Sequence, residues 1–392
     1  MKFSKRVEQL SDSVTLKINA KAKLLAAQGK DIINLSAGEP DFDTPEIIKS
    51  KAREAIDKGY TKYTPVSGIQ PLKTAIVDRY KNKFGVSFSD DYVLVSSGAK
   101  QALYNTVETL CGPGDEVLIP VPYWVSYPEM VKISLAKPVF IDTTKTNYVL
   151  MPENIDKAIN KNTKLLILNS PCNPTGVVYS ATLLQEIASI VHQKGIFCIA
   201  DEIYDELVYD SVSYESMITF IGSGSSNFIV ANGVSKTYSM TGWRIGYAIA
   251  SPEIIKKASK IQAHTTSCAS SISQYAALSA LTSGNSIIQE MQEAFNARRK
   301  LVIELFSDMD GITFPCPEGA FYLFFNISNF YGKKVNTSVA MAEFLLENYH
   351  VAVVPGAAFG DDKFLRLSYT LSLKKLKEGI SRIRKGLLDV CR

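Results

Sequence analysis

The sequence predicts an α/β protein: a large unit on a mainly parallel seven-stranded sheet flanked by helices, followed by a smaller α+β unit. Three observations carry this expectation. From Tyr92 onward, short apolar runs alternate with helical stretches, the pattern of repeated strand–helix–strand units. Those runs are continuously apolar rather than alternating, as expected of strands covered by helices on both faces. Beyond about residue 310 the order changes to short strands with two further helices, as in an α+β unit. The chain has 392 residues, 46% of them apolar, ample for a large core. A length well over ~150 residues suggests two to three domains.

In chain order, a helix is expected at 16–28, then the apolar stretch 32–36 and a turn, 37–45, dense in Gly, Pro and Asp. A helix follows at about 45–58, with Thr44 as its N-cap and Pro45 at its first position. Candidate sheet strands are 92–96, 116–119, 138–141, 164–168, 196–200, 228–231 and 246–250. Helical patterning dominates 252–310, and a long helix is expected to bridge the two units. Residues 311–314, 321–325, 351–354 and 364–368 then read as strands, with helices near 336–348 and 372–389.

Composition narrows the function. The 43 basic and 39 acidic residues leave a net charge of +4, which gives no reason to expect nucleic acid or an anionic membrane as a partner. No stretch approaches ~18 consecutive apolar residues, so no membrane span is expected. The start, Met1-Lys-Phe-Ser-Lys-Arg6, carries no signal-peptide pattern. Of six cysteines, at 111, 172, 198, 268, 316 and 391, the closest two lie 26 residues apart, so no disulfide framework is suggested. The three histidines are well separated, and no metal site is expected. These features fit a cytoplasmic enzyme.

The chemistry gathers at the ends of the expected strands. In Gly233-Val-Ser-Lys236-Thr-Tyr-Ser-Met-Thr-Gly-Trp-Arg244, Lys236 sits just past a strand on a loop of small polar residues. An amine there can form a Schiff base with an aldehyde cofactor, and the arginine eight residues on can hold that cofactor's phosphate. The bland alternative is a solvated lysine. Ser96-Ser-Gly98-Ala99-Lys100-Gln101 opens a helix and is either an anion site or an ordinary turn. Trp124, one of two tryptophans, can stack on a planar ring or simply fill a core. Asn173 precedes a proline and is biased to extended backbone, so its amide can enter a cleft, though such residues often only make turns. Asp201 ends a hydrophobic strand, where a carboxylate is costly unless paired. A protonated ring nitrogen suits it, helix N-capping being the alternative. Tyr204 can offer a phenol to the same ligand. Five strand ends would thus meet at the edge where α/β sheets bind ligands.

The blocks Ser235-Lys-Thr-Tyr-Ser-Met-Thr-Gly-Trp-Arg244, Asn173-Pro-Thr-Gly176 and Pro122-Tyr-Trp-Val-Ser-Tyr-Pro128 resemble the class I, fold-type I, pyridoxal-phosphate-dependent aminotransferases, most of all the bacterial aspartate aminotransferases. The likeness runs from Ser13-Val-Thr-Leu-Lys-Ile-Asn-Ala-Lys-Ala22 to Leu365-Arg366-Leu-Ser-Tyr369. It implies a large cofactor-binding domain, 48–290, and a small domain formed by both termini, 1–47 and 291–392. It implies that Lys236 binds pyridoxal 5′-phosphate and carries the proton, that Asp201 meets the ring nitrogen, that Tyr204 and Asn173 hold the 3′-oxygen and that Trp124 stacks on the ring. Gly98, Ala99, Lys100, Ser235 and Arg244 would surround the phosphate, joined by Tyr63 from the other subunit of a homodimer. Arg366 would take the substrate α-carboxylate with help from Gly38, Trp124 and Asn173. Lys100 with Ser13 and Thr15 would meet a distal carboxylate. The implied reaction moves the amino group of L-aspartate to 2-oxoglutarate in two half-reactions with ping-pong kinetics. Prephenate, aromatic and other dicarboxylic amino acids are alternative substrates. A lyase on the same fold would share Lys236 and Asp201.

Overall fold

The computed structural model describes residues 3–12, 14–222, 226–284, 286–333 and 335–390. A short strand, β1 (Ile33–Asn34), precedes the large sheet. That sheet contains β2 (Val93–Ser96), β3 (Glu116–Val121), β4 (Lys137–Asp142), β5 (Thr163–Asn169), β6 (Phe197–Asp201), β7 (Phe228–Gly233) and β8 (Gly246–Ile249). Their spatial order is β2-β8-β7-β6-β5-β3-β4. Neighbours from β7 across to β4 pair in parallel, whereas β8 runs antiparallel to both β7 and β2. Six strands therefore end at one edge of the sheet, and β8 begins there.

The continuous apolar runs are explained by two covered faces. In β5, Leu165 and Ile167 pack with Leu103 and Val107 of the helix Ala99–Leu110 and with Ile254 of the helix Pro252–Thr265. Leu166 and Leu168 point the other way, to Leu184, Ile187 and Val191 of the helix Ala181–Lys194. Each such side chain contributes roughly 1.5–3 kcal/mol on burial, so a polar residue on either face of a central strand would be costly. Only the strand ends are free to carry polar groups.

The second core is built mainly by the chain's two ends, joined by Ile203, Tyr204, Leu207 and Tyr209 from the segment after β6. Strands β9 (Tyr322–Asn326), β11 (Val354–Pro355) and β12 (Phe364–Ser368) form an antiparallel sheet in the order β11-β12-β9. The intervening β10 (Val351–Ala352) pairs in parallel with β1. The helix Ser286–Ser307 bridges the two cores: Ile288 packs into the large one, and Met291, Phe295, Val302 and Phe306 into the small one.

Three expected details differ. Residues 311–314 form no strand; only Thr313 pairs, as a single bridge to Asn326, because Pro315 and Pro317 remove the donors a strand would need. The run 351–354 is split at Val353 between two sheets. Thr44 does not cap the helix Glu46–Asp57, whose N-cap position is Pro45. Its hydroxyl instead donates to the Ser239 carbonyl (2.7 Å) and accepts from Trp243 Nε1 (3.0 Å), so it ties two loops together.

Candidate active site

At the sheet edge where six strands end lies a cavity of about 360 Å3. Among its lining residues are Gly38, Ala99, Lys100, Trp124, Asn173, Asp201, Tyr204, Ser235, Lys236, Arg244, Arg366 and Thr15. Segments far apart in sequence thus converge as expected. Gly98 lies just behind this lining. Tyr63 does not line the cavity of its own chain and is 90% exposed. Ser13 lies outside the described residues, as does Cys391.

Lys236 follows β7 on a short turn, and its Nζ donates to the Gly38 carbonyl at 2.5 Å. Burial lowers its pKa to about 8, with Arg366 and Arg244 pushing the same way and Glu39 and Asp201 opposing. A sizeable fraction of the amine is therefore neutral near physiological pH, as a nucleophile or base requires.

Asp201 ends β6 and is buried. Its Oδ2 accepts from the Tyr127 hydroxyl (2.7 Å) and its Oδ1 from the Ile203 N–H (3.3 Å). No helix follows, so it caps none. Burial raises its pKa to about 6 in spite of those donors. A cation beside it would restore the carboxylate.

Arg366, on β12, is buried, and its hydrogen-bond partners are neutral. Nη1 donates to Asn173 Oδ1 (3.0 Å) and Nη2 to the Ser36 carbonyl (2.9 Å). The guanidinium lies 4.4 Å from the centre of the Tyr322 ring and 5.0 Å from that of Phe359. Its Nε has no hydrogen-bond partner among the described residues. A buried cation with an unused donor and no carboxylate beside it is a receptor for an anion. Asn173 is itself oriented by its N–H donating to Asn169 Oδ1 (2.8 Å). The Tyr204 hydroxyl pairs with that of Tyr322 at 2.8 Å.

The open end of the cavity has different partners. Gly98, with φ of 89°, precedes the helix Ala99–Leu110. A Cβ there would meet Arg244 Nη2 at 2.5 Å, so glycine lets the guanidinium close on the helix start. Arg244 is exposed, and its Nη1 and Nη2 donate to the carbonyls of Thr241 (2.9 Å) and Ser97 (3.4 Å). Lys100 Nζ stands 4.9 Å from the Trp124 ring centre; desolvation, with Arg244 nearby, lowers its pKa.

These groups fit a flat cofactor that carries a phosphate, a protonatable ring nitrogen and an aldehyde: a helix start with an arginine, a buried carboxylate, an indole wall and an amine. Sequence reasoning assigned no role to Tyr127, Tyr322, Phe359, Asn169 or Ser36. Tyr127 had a signal, since it lies in the same block as Trp124. Tyr322 and Phe359 sit in ordinary apolar runs and had none.

The fold and site define a class of enzyme, and comparison with known proteins identifies it. Residues 30–383 match the family model described as aminotransferase class I and II. The chain is 42% identical to an aspartate aminotransferase of Bacillus sp. (strain YM-2), covering 97% of this chain and 98% of that protein. It is 41% identical to an aspartate/prephenate aminotransferase of Cereibacter sphaeroides, covering 97% and 98%. The crystal structure of the aspartate aminotransferase from Rhizobium meliloti superposes with a TM-score of 0.94 at 39% identity, covering 99% of both chains. The chain belongs to the class I and II aminotransferases. It is a transaminase whose cofactor is pyridoxal 5′-phosphate.

Proposed function

We propose that the chain transfers the amino group of L-aspartate to 2-oxoglutarate, in two half-reactions at this one cavity. The observation that carries the reading is that a single cavity holds a buried guanidinium without a carboxylate partner, Arg366, and an amine of depressed pKa, Lys236. The relatives from Bacillus sp. and Rhizobium meliloti, named as aspartate aminotransferases, support the choice of substrate.

Pyridoxal 5′-phosphate, when bound, supplies an aldehyde for the substrate amine and a ring that withdraws the electron pair left at the substrate Cα. Gly98, Ala99, Ser235 and Arg244 would hold its phosphate, Trp124 would cover its ring, and Tyr204 and Asn173 would hold its 3′-oxygen. Asp201, whose Oδ2 is held by the Tyr127 hydroxyl, would keep a proton on the ring nitrogen. Arg366 takes the α-carboxylate and, with Gly38, Trp124 and Asn173, orients the substrate so that Cα faces Lys236. Lys236 Nζ, an amine of lowered pKa, would serve as the base that takes the proton from the substrate Cα. Lys100 and Thr15 would receive the distal carboxylate shared by aspartate and 2-oxoglutarate.

The exposed Tyr63, outside its own cavity, supports a homodimer in which it reaches the other subunit's phosphate site. The separate cores support a division into residues 48–290 and a unit of 1–47 with 291–392. No helix among the described residues is long and apolar enough to cross a membrane. The free cysteines among them fit a reducing, cytoplasmic setting. A second reading, use of prephenate beside the dicarboxylates, is favoured by the Cereibacter sphaeroides relative named for both.

The test is the visible spectrum of the cofactor-loaded protein. A coloured band that is lost on adding L-aspartate and returns with 2-oxoglutarate supports the reading. A band indifferent to aspartate but responsive to aromatic donors or prephenate moves the assignment to the second reading. Release of ammonia without a 2-oxo acid acceptor would point to a lyase.

A further inference from the structure

The loop 37–45 is fastened on two sides. Toward the bridging helix, Arg298 grips Asp41 with two hydrogen bonds (2.6 and 3.0 Å) while its guanidinium lies 5.1 Å from the centre of the Phe42 ring. Phe42 meets Phe295 edge-on, with ring centres 5.6 Å apart. Toward the active site, four hydrogen bonds fasten the same loop to the turn 236–244. Lys236 Nζ donates to the Gly38 carbonyl, Thr241 Oγ1 to Glu39 Oε2 (3.0 Å), Thr44 Oγ1 to the Ser239 carbonyl, and Trp243 Nε1 to Thr44 Oγ1.

Glu39 has a particular place among these contacts. Thr241 lines the cavity, and it is held on both sides: its hydroxyl by Glu39, and its carbonyl by Arg244 Nη1. Glu39, Thr241 and Arg244 thus form one chain of contacts ending at the helix start beside Gly98. The charged groups facing Lys236 are Glu39 from this loop, Asp201 from β6, Arg366 from β12 and Arg244 from the turn, and of these Glu39 acts most strongly, favouring the ammonium.

We propose that Glu39 is a positioning residue for this site: its carboxylate fixes the Thr241 turn that aims Arg244, and its charge holds the Lys236 ammonium against the Gly38 carbonyl until the cofactor is captured. The proposal rests on the roles given above to Lys236 and Arg244. Glu39 touches neither cofactor nor substrate in this assignment and acts through Thr241 and through its field.

Two variants of the full chain, freed of cofactor, separate the two actions. Glu39→Gln removes the charge but keeps an oxygen for Thr241; Thr241→Val removes the tie but keeps the charge. Two quantities are read: the pH midpoint for modification of Lys236 by trinitrobenzenesulfonate, followed by mass at its peptide, and the Kd for inorganic phosphate. In Glu39→Gln the Lys236 midpoint falls by about half a pH unit, the modest size expected of an exposed and screened carboxylate, and phosphate binds at least as tightly as in wild type. In Thr241→Val the midpoint stays and phosphate binds roughly three- to tenfold more weakly, the effect of one lost hydrogen bond. An unshifted midpoint in Glu39→Gln overturns the charge role, and unchanged phosphate affinity in Thr241→Val overturns the tie. Wild-type protein that neither reacts selectively at Lys236 nor binds phosphate would overturn the site assignment itself, and this proposal with it. Wild-type behaviour as assigned, with silent variants, would remove Glu39 alone.

Discussion

Two arginines stand in the same cavity and are held in opposite ways. Arg366, at the small-sheet wall, is 4% exposed, packs against two aromatic rings and donates to neutral oxygens. Arg244, at the mouth, is exposed and leans on backbone carbonyls beside a helix start. A buried guanidinium without a counter-charge is prepared for one anion in one orientation, because any misplacement leaves it unpaired in a poor solvent. An exposed one adds charge at the edge of an anion site that backbone N–H groups already define, and water shares the work. In the function proposed here the first arrangement would select a substrate carboxylate and the second would retain a phosphate.

The largest expected effect tests that contrast directly. Arg366→Leu should lower kcat/KM for aspartate by roughly a hundred- to several-thousand-fold, the scale of the about 3–5 kcal/mol lost on breaking a buried charge pair, while the cofactor's visible band persists; steady-state kinetics with a spectrum of the same sample checks both. Arg244→Leu should instead weaken cofactor affinity, by roughly ten- to a hundredfold, and leave the ranking of amino acid donors unchanged, which equilibrium dialysis and a donor panel would show. Equal effects of both variants on donor ranking would erase the distinction.

Lys236, lying between them, gives a smaller effect that reads on stability. Its folded-state pKa of about 8 lies below the ordinary 10.5. The unfolded chain therefore binds more protons between those values. Stability of the cofactor-free protein rises with pH through that window, and the penalty is complete below it. Lys236→Met should stabilise the cofactor-free protein by about 2 kcal/mol at pH 7, with the gain shrinking as pH rises through the window from about 8 to 10.5 and nearly gone above it, as measured by urea unfolding at both ends. The smallest effect concerns Asp201. Tyr127→Phe removes a donor that lowers the Asp201 pKa, so the carboxylate is lost at higher pH. The acid limb of the kcat/KM profile should move up by about one pH unit, with only a modest loss at pH 8.

Much of the site was legible in the sequence for a specific reason. Both faces of the large sheet must be apolar, so polar residues such as Asp201, Asn173 and Lys236 stand out where strands stop. Elsewhere the same signals misled or were silent. Thr44 before Pro45 has the pattern of an N-cap, yet its hydroxyl is claimed by Ser239 and Trp243, nearly 200 residues away. Tyr322 and Phe359 read as core residues, and they are buried; that both also pack against a guanidinium is invisible until β12 is placed beside them.

The sequence by itself determined the strand–helix alternation, the blocks around Lys236, Asp201 and Asn173, and through them the family, because these depend on neighbours a few residues apart. Only the tertiary structure decided that β8 runs against the rest and so delivers Arg244 at its beginning rather than its end. It likewise decided that Arg366 has neutral partners, that Tyr127 shares Asp201, and that the loop 37–45 grips the Lys236 turn. Those facts depend on which distant segments meet, and on the solvent they exclude when they do. Solvent exclusion is what turns an ordinary lysine, aspartate and arginine into groups with altered protonation and an unmet need for a ligand.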